Sequence, residues 1–449
     1  VIVDQLERRS EARTGRAAAP AVDEGRATPG DPPGRSKVGV DGEPSSFRGL
    51  LTDRVFAPFF FANSISNTGN WFQNVAAGIV VFQLTGSNAA VGAVSILQFA
   101  ATMVLTPYAG VITDRVNRRW MLFTGQAVAL LGASGLAIAV AVLGVDGLGG
   151  PLPVYAATAV IGLGAAIILP SLQAVVPALV RERELDDAIA LNAMTFNIAR
   201  AIGPVAAGLV VAQFGAAVAF GVNAFTFLPL LVALALIKPR SSVQPDPGNG
   251  AGGGVIDTVQ WIRSHRTVVV LLLGTLAVGW TSDPFSTLMP GLADDFGYGE
   301  TVVGLLVGAF GVGAAVTAPI SGAVRRLLGR PNVIPVGLVL VAAGLGVMAA
   351  APVVHLALVG AAISGSGFLL GVTGTNVELQ KGIPDEVRGR VMAFWSVAFL
   401  GCRPVAATVD GFVADATSVR AALLLAGLLA LTAAGLLFRY RPTAADIGL

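Results

Sequence analysis

Pro107-Tyr108-Ala109-Gly110-Val111-Ile112-Thr113-Asp114-Arg115-Val116-Asn117-Arg118-Arg119 closes one long apolar segment, turns within a few charged residues and opens the next. A weathered copy lies 212 positions on, where Val91-Gly92, Pro107, Gly110 and Arg118 recur as Val303-Gly304, Pro319, Gly322 and Arg330. A charged tight turn between membrane-length segments, present twice at equivalent places, divides the chain into two related bundles of helices. Gln173 and Pro177 with Gln380 and Pro384, and Pro204-Val205-Ala206-Ala207 with Pro404-Val405-Ala406-Ala407, repeat that division.

Working outward, 54% of the 449 residues are hydrophobic, 12% are charged and the mean hydropathy is +0.74, so most of the chain cannot be solvated on a globular surface. A net charge of +2, with the basic residues in short loops between apolar segments, argues against nucleic acid as a partner. The single cysteine, Cys402, excludes a disulfide framework, and His265 and His355 have no metal-ligand spacing, so neither metal nor cofactor is expected. No nucleophile, base and orienting group assemble from the sequence, and no Gly-x-x-x-x-Gly-Lys-Ser/Thr loop is present, which argues against an enzyme and against ATP as energy source.

A helix rises 1.5 Å per residue and must cross about 30 Å of hydrocarbon, so each span needs roughly 20 apolar residues. Twelve segments qualify, near 56–84, 90–113, 120–144, 154–180, 189–214, 216–237, 268–290, 301–324, 332–351, 354–380, 389–415 and 418–438. Loops after even-numbered spans carry the arginines and lysines, among them Arg115, Arg118, Arg119, Arg181, Arg183, Lys238, Arg325 and Arg388, whereas odd-numbered loops hold almost none. That alternation puts both termini in the cytoplasm. The expected organisation is a disordered polar tail over 1–50, without the apolar core of a secretion signal, and a six-helix bundle over 51–238. A Gly- and Pro-rich linker over 239–266 follows, carrying a short amphipathic helix near Ile256–His265, then a second bundle over 267–440 and a tail over 441–449.

At this point the chain resembles the major facilitator superfamily over about residues 52–440. The turn with Gly110, Asp114, Arg115, Arg118 and Arg119 is similar to that superfamily's signature between spans 2 and 3. Leu191-Asn192 through Asn197-Ile198-Ala199-Arg200 to Gly203-Pro204 and Gly208, and Asn376, Leu379, Gln380, Pro384 and Arg388-Gly389-Arg390, resemble the bacterial branch of siderophore, drug and macrolide exporters. The resemblance implies an all-α membrane protein, twelve transmembrane helices in two pseudo-symmetric six-helix bundles. It also implies a gate in which Asp114 meets the start of span 11, with Arg388 and Arg390 as possible partners. A carboxylate is favoured at a helix N-terminus by the exposed N–H groups and the dipole. The three arginines of the turn can equally be topology determinants alone. Arg326 stands where the second copy would need its aspartate, so a matching second gate is not expected.

Polar residues inside the spans are the candidates for function. Asn63, Asn67, Asn70 and Asn74 follow one face of span 1, either as a wall that contacts substrate or as hydrogen bonds between helices. Relatives often carry an acid near Asn70; an amide there does not titrate. Arg200, near mid-span 5, suits an anionic substrate or a structural pin beside Gly203-Pro204, and Arg403 beside Pro404 invites the same two readings with the structural one favoured. Asp283 in span 7, with Ser282, Ser286 and Thr287, is the leading candidate for a proton-titrating group, the alternative being a solvated residue at the outer mouth. Asp410 and Glu378 read as interfacial, and Trp71, Trp120 and Trp280 as interface anchors.

The function these features suggest is export of a small amphipathic molecule, a siderophore or a drug-like compound, across the bacterial inner membrane by a monomer working by alternating access, with protons as the coupling ion and membrane lipids around it. A lipid or lysophospholipid flippase on the same fold, recognisable by lateral openings, and a non-transporting receptor or scaffold are the alternatives.

Overall fold

A computed structural model of the chain describes residues 47–113, 117–181, 184–237 and 255–441. Twelve membrane-length segments are helical within it, preceded by a short helix, Phe47–Thr52. Spans 1 to 6 are Phe56–Thr85, Asn88–Thr113, Arg118–Leu143, Leu152–Leu179, Leu185–Phe214 and Ala216–Leu236. Spans 8, 9, 10 and 12 are Glu300–Leu328, Arg330–Ala350, Val354–Gly382 and Val419–Tyr440. Eight of the described segments are long and apolar enough to cross a membrane by length and composition alone, and 88–100, 152–168 and 202–214 are apolar stretches of three more. Span 1 is the remaining one, and its asparagine-bearing face accounts for the shortfall.

The packing repeats with the sequence. Span 2 lies on span 4, span 3 on spans 4 and 6, and span 1 on spans 5 and 6; span 8 lies on span 10, span 9 on spans 10 and 12, and span 7 on spans 11 and 12. The two bundles meet where span 5 packs on span 8 and span 2 on span 11, contacts that the same pseudo-symmetry exchanges. Apolar burial of this kind, with glycine and alanine at the crossings, holds helices together where lipid offers no hydrophobic drive. The amphipathic helix expected near 256–265 is Val255–Ser264, its Ile262 buried against the second bundle.

Two spans depart from the single helices expected of them. Span 7 runs as Arg266–Trp280, Pro284–Thr287 and Met289–Asp295, passing its expected end by five residues. Pro284 has no N–H for the Trp280 carbonyl, which accepts instead from the Asp283 N–H at 2.9 Å. Ser282 and Thr281 turn their hydroxyls back onto Gly279 O and Val278 O at 2.7 and 3.0 Å, supplying donors where the ladder fails. Span 11 breaks in the same way at Cys402, between Asp385–Gly401 and Arg403–Ala416, with Pro404 in the first turn of the second piece. The two breaks touch: a Cβ on Gly279 would stand 2.4 Å from Phe399 O and 2.7 Å from Cys402 Sγ.

Candidate functional site

The turn that decides the fold has its acid, Asp114, and Arg115 outside the described residues, so the expected gate at the start of span 11 lies there too; the surroundings of Gly110 and the side chain of Arg200 are likewise outside the description. Of the remaining gate candidates, Arg119 donates from Nη2 to Ala235 O at 2.6 Å, closing the C-terminal end of span 6. Arg118 is half-buried at the start of span 3, Arg388 donates to Ile383 O at 3.1 Å within its own turn, and Arg390 is half-buried.

The asparagine face of span 1 divides in two. Asn63 is buried and donates to Asn192 Oδ1 of span 5 at 2.9 Å; next to it Ser66 donates to Gln126 of span 3 at 3.3 Å, and Asn223 of span 6 donates to Gln73 at 3.1 Å. These are bonds between helices of one bundle. Asn67, Asn70 and Asn74 are half-buried and make no side-chain hydrogen bond among the described residues. Asn74 lines a crevice of about 20 Å³, room for about one water, with Trp71, Gly78, Ser286, Pro290 and Val303. The face therefore supplies both structural bonds and free amides. Asn63→Ala and Asn192→Ala are expected to be non-additive, with a coupling of about 0.5–1 kcal/mol. A double-mutant cycle on thermal unfolding in detergent checks this, and strictly additive losses would refute the bond.

Opposite Asn74, the break in span 7 sets Asp283 and Ser286 one turn apart. Asp283 is 0% exposed, which rules out a solvated position at a mouth; its Oδ2 accepts from Thr287 Oγ1 at 2.7 Å, and its Oδ1 is buried with no partner. Ser286 Oγ accepts from Arg403 Nη2 at 3.0 Å, and the guanidinium lies over Phe99 of span 2 at 4.4 Å. Arg403 thus joins span 11 to spans 7 and 2. Asp410, two turns beyond Arg403 in span 11, is 0% exposed, covered by protein and not by solvent. Trp280, expected as an interface anchor, donates its indole N–H to Asp410 Oδ1 at 3.4 Å. Glu378, one turn from the end of span 10, is buried within the protein and paired with Arg330 at the start of span 9 at 3.1 Å in a two-bond fork.

A second constellation closes the end of the bundle that carries Gly86. The Asp415 carboxylate, at the end of span 11, accepts from Ser87 Oγ at 2.5 Å, Asn88 N at 2.7 Å, Asn88 Nδ2 at 3.2 Å and Ala89 N at 3.1 Å. It caps the N-terminus of span 2 from the other bundle, where the exposed N–H groups and the helix dipole favour an anion. Gln83 donates to Glu300 at 2.6 Å between spans 1 and 8. The backbones meet as closely: a Cβ on Gly92 would stand 2.6 Å from Ala407 O, and one on Gly304 2.6 Å from Pro204 O. Among the described residues the close contacts of spans 2 and 5 with the second bundle are at this end. Replacing Asp415 by Ala removes a cap of about 1–2 kcal/mol, a shift of about 5–30-fold away from closure. Spin-label distances between spans 2 and 11 at the Gly86 end are expected to lengthen, and an unchanged distribution would argue against the latch.

The sequence could have announced part of this. Gly86-Ser87-Asn88 is a helix stop followed by a start, and the buried acid Asp410 follows Arg403 by seven residues on one face. Asp415 carried no signal, because its partners are 326 to 328 residues away.

Comparison with known proteins bears on this geometry. The family model described as transmembrane secretion effector matches residues 45–447. The chain is 28% identical over 413 residues to the enterobactin exporter EntS of Salmonella typhimurium, covering 88% of this chain and 95% of that protein, and 28% identical over 419 residues to the enterobactin exporter of Escherichia coli O1:K1 / APEC, with the same coverage. In fold it is similar to a bacterial homologue of the iron transporter ferroportin in an inward-facing state (TM-score 0.70, 17% identity, 86% of this chain and 98% of that one). It is also similar to a bacterial homologue of the human lysosomal transporter Spinster, inward-facing and unoccupied (TM-score 0.69, 12% identity, 87% and 98%).

Proposed function

The chain belongs to the transmembrane secretion effector family of the major facilitator superfamily, and on that premise we propose that it is a proton-driven exporter of a small amphipathic molecule, working as a monomer by alternating access in the bacterial inner membrane. The observation that carries the coupling is the break in span 7: it holds a wholly buried carboxylate, Asp283, one turn from Ser286, which faces Asn74 across the crevice between the bundles. A proton on Asp283 and a solute against Asn67, Asn70, Asn74 and Ser286 then act on the same short segment.

The alternation of arginine-rich loops makes the Gly86 end the outer one and both termini cytoplasmic. The conformation is then closed outside and ready to load from the cytoplasm. The gate at the cytoplasmic end, the counterpart of the Asp415 latch, we assign to Gly110, Asp114, Arg115, Arg118, Arg119, Arg388 and Arg390 on the resemblance of the turn to the superfamily signature, and the contact for an anionic cargo to Arg200. A siderophore of the enterobactin kind is the first cargo to try, since exporters of that compound are 28% identical over nearly their whole length. The linker near residues 239–266 separates the bundles, an arrangement that lets them rock against each other.

Restoring secretion to a bacterium that lacks its enterobactin exporter tests the cargo. Expected is recovery of enterobactin in the medium; secretion that stays at the deletion level, with drug-like compounds retained as well, would reject export. A lateral groove of about 930 Å³ lined by Arg54, Pro58, Phe61, Ile65, Phe225 and Leu228 favours a second reading, movement of a lipid. Lipid scrambling in vesicles that requires the protein while enterobactin flux is absent would select it.

A further inference from the structure

Spans 1 and 6 leave a groove of about 930 Å³ on the side of the first bundle, within the roughly 300–1,000 Å³ of sites that hold small molecules. Its floor is made of small residues, Ala62 and Ala233, both buried; its walls are large and apolar, Phe61 and Ile65 of span 1 and Phe225 and Leu236 of span 6, all exposed. From Phe225 to Ile237 the groove follows span 6 for about 18 Å at the helical rise, close to the ~15 Å depth of one leaflet. One end is charged. Arg54 lines it, exposed and without a hydrogen bond or ion pair among the described residues. The neighbouring Asp53 turns its Oδ1 to the N–H groups of Val55 and Phe56 at 2.9 and 2.8 Å. At the same end span 6 runs on in sequence into Lys238 and Arg240.

The second bundle treats the same place differently. Arg266, at the start of span 7, stands 212 positions after Arg54, the offset at which the charged turn recurs. Its guanidinium lies 4.4 Å over the ring of Tyr440 at the end of span 12. Gly274, the counterpart of Ala62 at that offset, lies against span 12 too, since a Cβ on it would stand 3.2 Å from Leu437 Cδ1. In the second bundle an aromatic ring and a leucine of the protein thus cover what in the first bundle is an open apolar groove with an unpaired cation at its end. We infer that the groove between spans 1 and 6 binds one anionic phospholipid from the leaflet at the Arg54 end. Its phosphate and headgroup meet Arg54, and one acyl chain lies along Ala62 and Ala233 between the exposed walls. Basic side chains at the end of a span attract anionic headgroups, and a chain laid on the groove floor restores the close contacts that bulky walls deny to flat packing. The lipid is resident, a part of the first bundle's surface and not its cargo.

Native mass spectrometry of the full chain, released from detergent with dioleoyl phosphatidylglycerol or dioleoyl phosphatidylcholine, compares lipids of equal chains and different charge. Expected is one phosphatidylglycerol bound in preference to phosphatidylcholine. Arg54→Gln should lower the affinity for phosphatidylglycerol about fivefold, the worth of one basic residue facing an anionic headgroup, and leave that for phosphatidylcholine as it was. Arg266→Gln, at the position covered by Tyr440, should change neither. A wild type without preference, or an Arg54→Gln protein that binds phosphatidylglycerol as the wild type does, would overturn the site. The groove is read separately in vesicles with Phe61→Trp, a substitution at an exposed position of the wall. Its added emission should be quenched by phosphatidylglycerol brominated on the chains at a lower mole fraction than by brominated phosphatidylcholine, and coincident quenching curves would overturn the proposal. Failure of the export reading looks different, since absence of enterobactin flux leaves both lipid readouts as they are.

Discussion

Replacing Gly208 by Leu is expected to stop transport by jamming the Gly86 end open. Spans 5 and 8 touch there backbone to backbone: a Cβ on Gly208 would stand 2.7 Å from the Cα of Gly304 and 2.9 Å from Glu300 O. Neither obstacle is the end of a flexible side chain, so four added carbons must push the helices apart. Overpacking of this kind costs about 1–3 kcal/mol or more. In a conformation whose Gly86 end is open the contact does not exist, and the substitution costs nothing comparable. The equilibrium therefore moves by up to about 10²-fold toward the open form, since each 1.4 kcal/mol is tenfold. The check is the reaction of Asn74→Cys, in a Cys402→Ser background that removes the one native thiol, with an impermeant reagent from the Gly86 side. Labelling should rise sharply in the Gly208→Leu protein while solute flux disappears. Unchanged protection together with normal flux would mean that spans 5 and 8 do not have to close.

The second large effect is at Asp283. Asparagine preserves the shape of the side chain and an oxygen for the Thr287 hydroxyl, so the break in span 7 keeps its one side-chain bond. What it removes is the charge, and with it the reason to bind a proton. In inside-out vesicles acidified inside, the wild type should accumulate cargo by up to about tenfold per pH unit if one proton is exchanged, because a pH unit is worth about 1.4 kcal/mol. Asp283→Asn should show the same flux with and without the gradient. Full gradient-driven accumulation by this variant would exclude Asp283 as a coupling residue.

The distribution of what could be foreseen follows from the physics of each feature. Hydropathy is a one-dimensional property, so the twelve spans and the alternation of basic loops were open to a reader of the sequence, as was the duplication marked by Gly110 and Gly322. Proline has a local effect, so Pro284 and Pro404 carried a signal for broken helix that the expected unbroken spans 7 and 11 did not use. Periodicity says which residues of span 1 share a face but not which neighbour covers it. Asn63 therefore looked like Asn67, although one is bonded to Asn192 and the other is not. That Asp410 is covered was not legible, because position along a helix does not say which neighbour, here Trp280 of span 7, lies over a side chain. The Asp415 latch is a purely tertiary feature, built from a carboxylate of one bundle and the helix start of the other.

The measurement that bears most directly on proton-driven export is enterobactin uptake into inside-out proteoliposomes of the purified chain, with and without an imposed pH gradient. The account predicts uptake that rises with internal acidity, collapses when a protonophore dissipates the gradient, and is absent from liposomes without protein. Uptake of equal size with the gradient present, absent or reversed would contradict it.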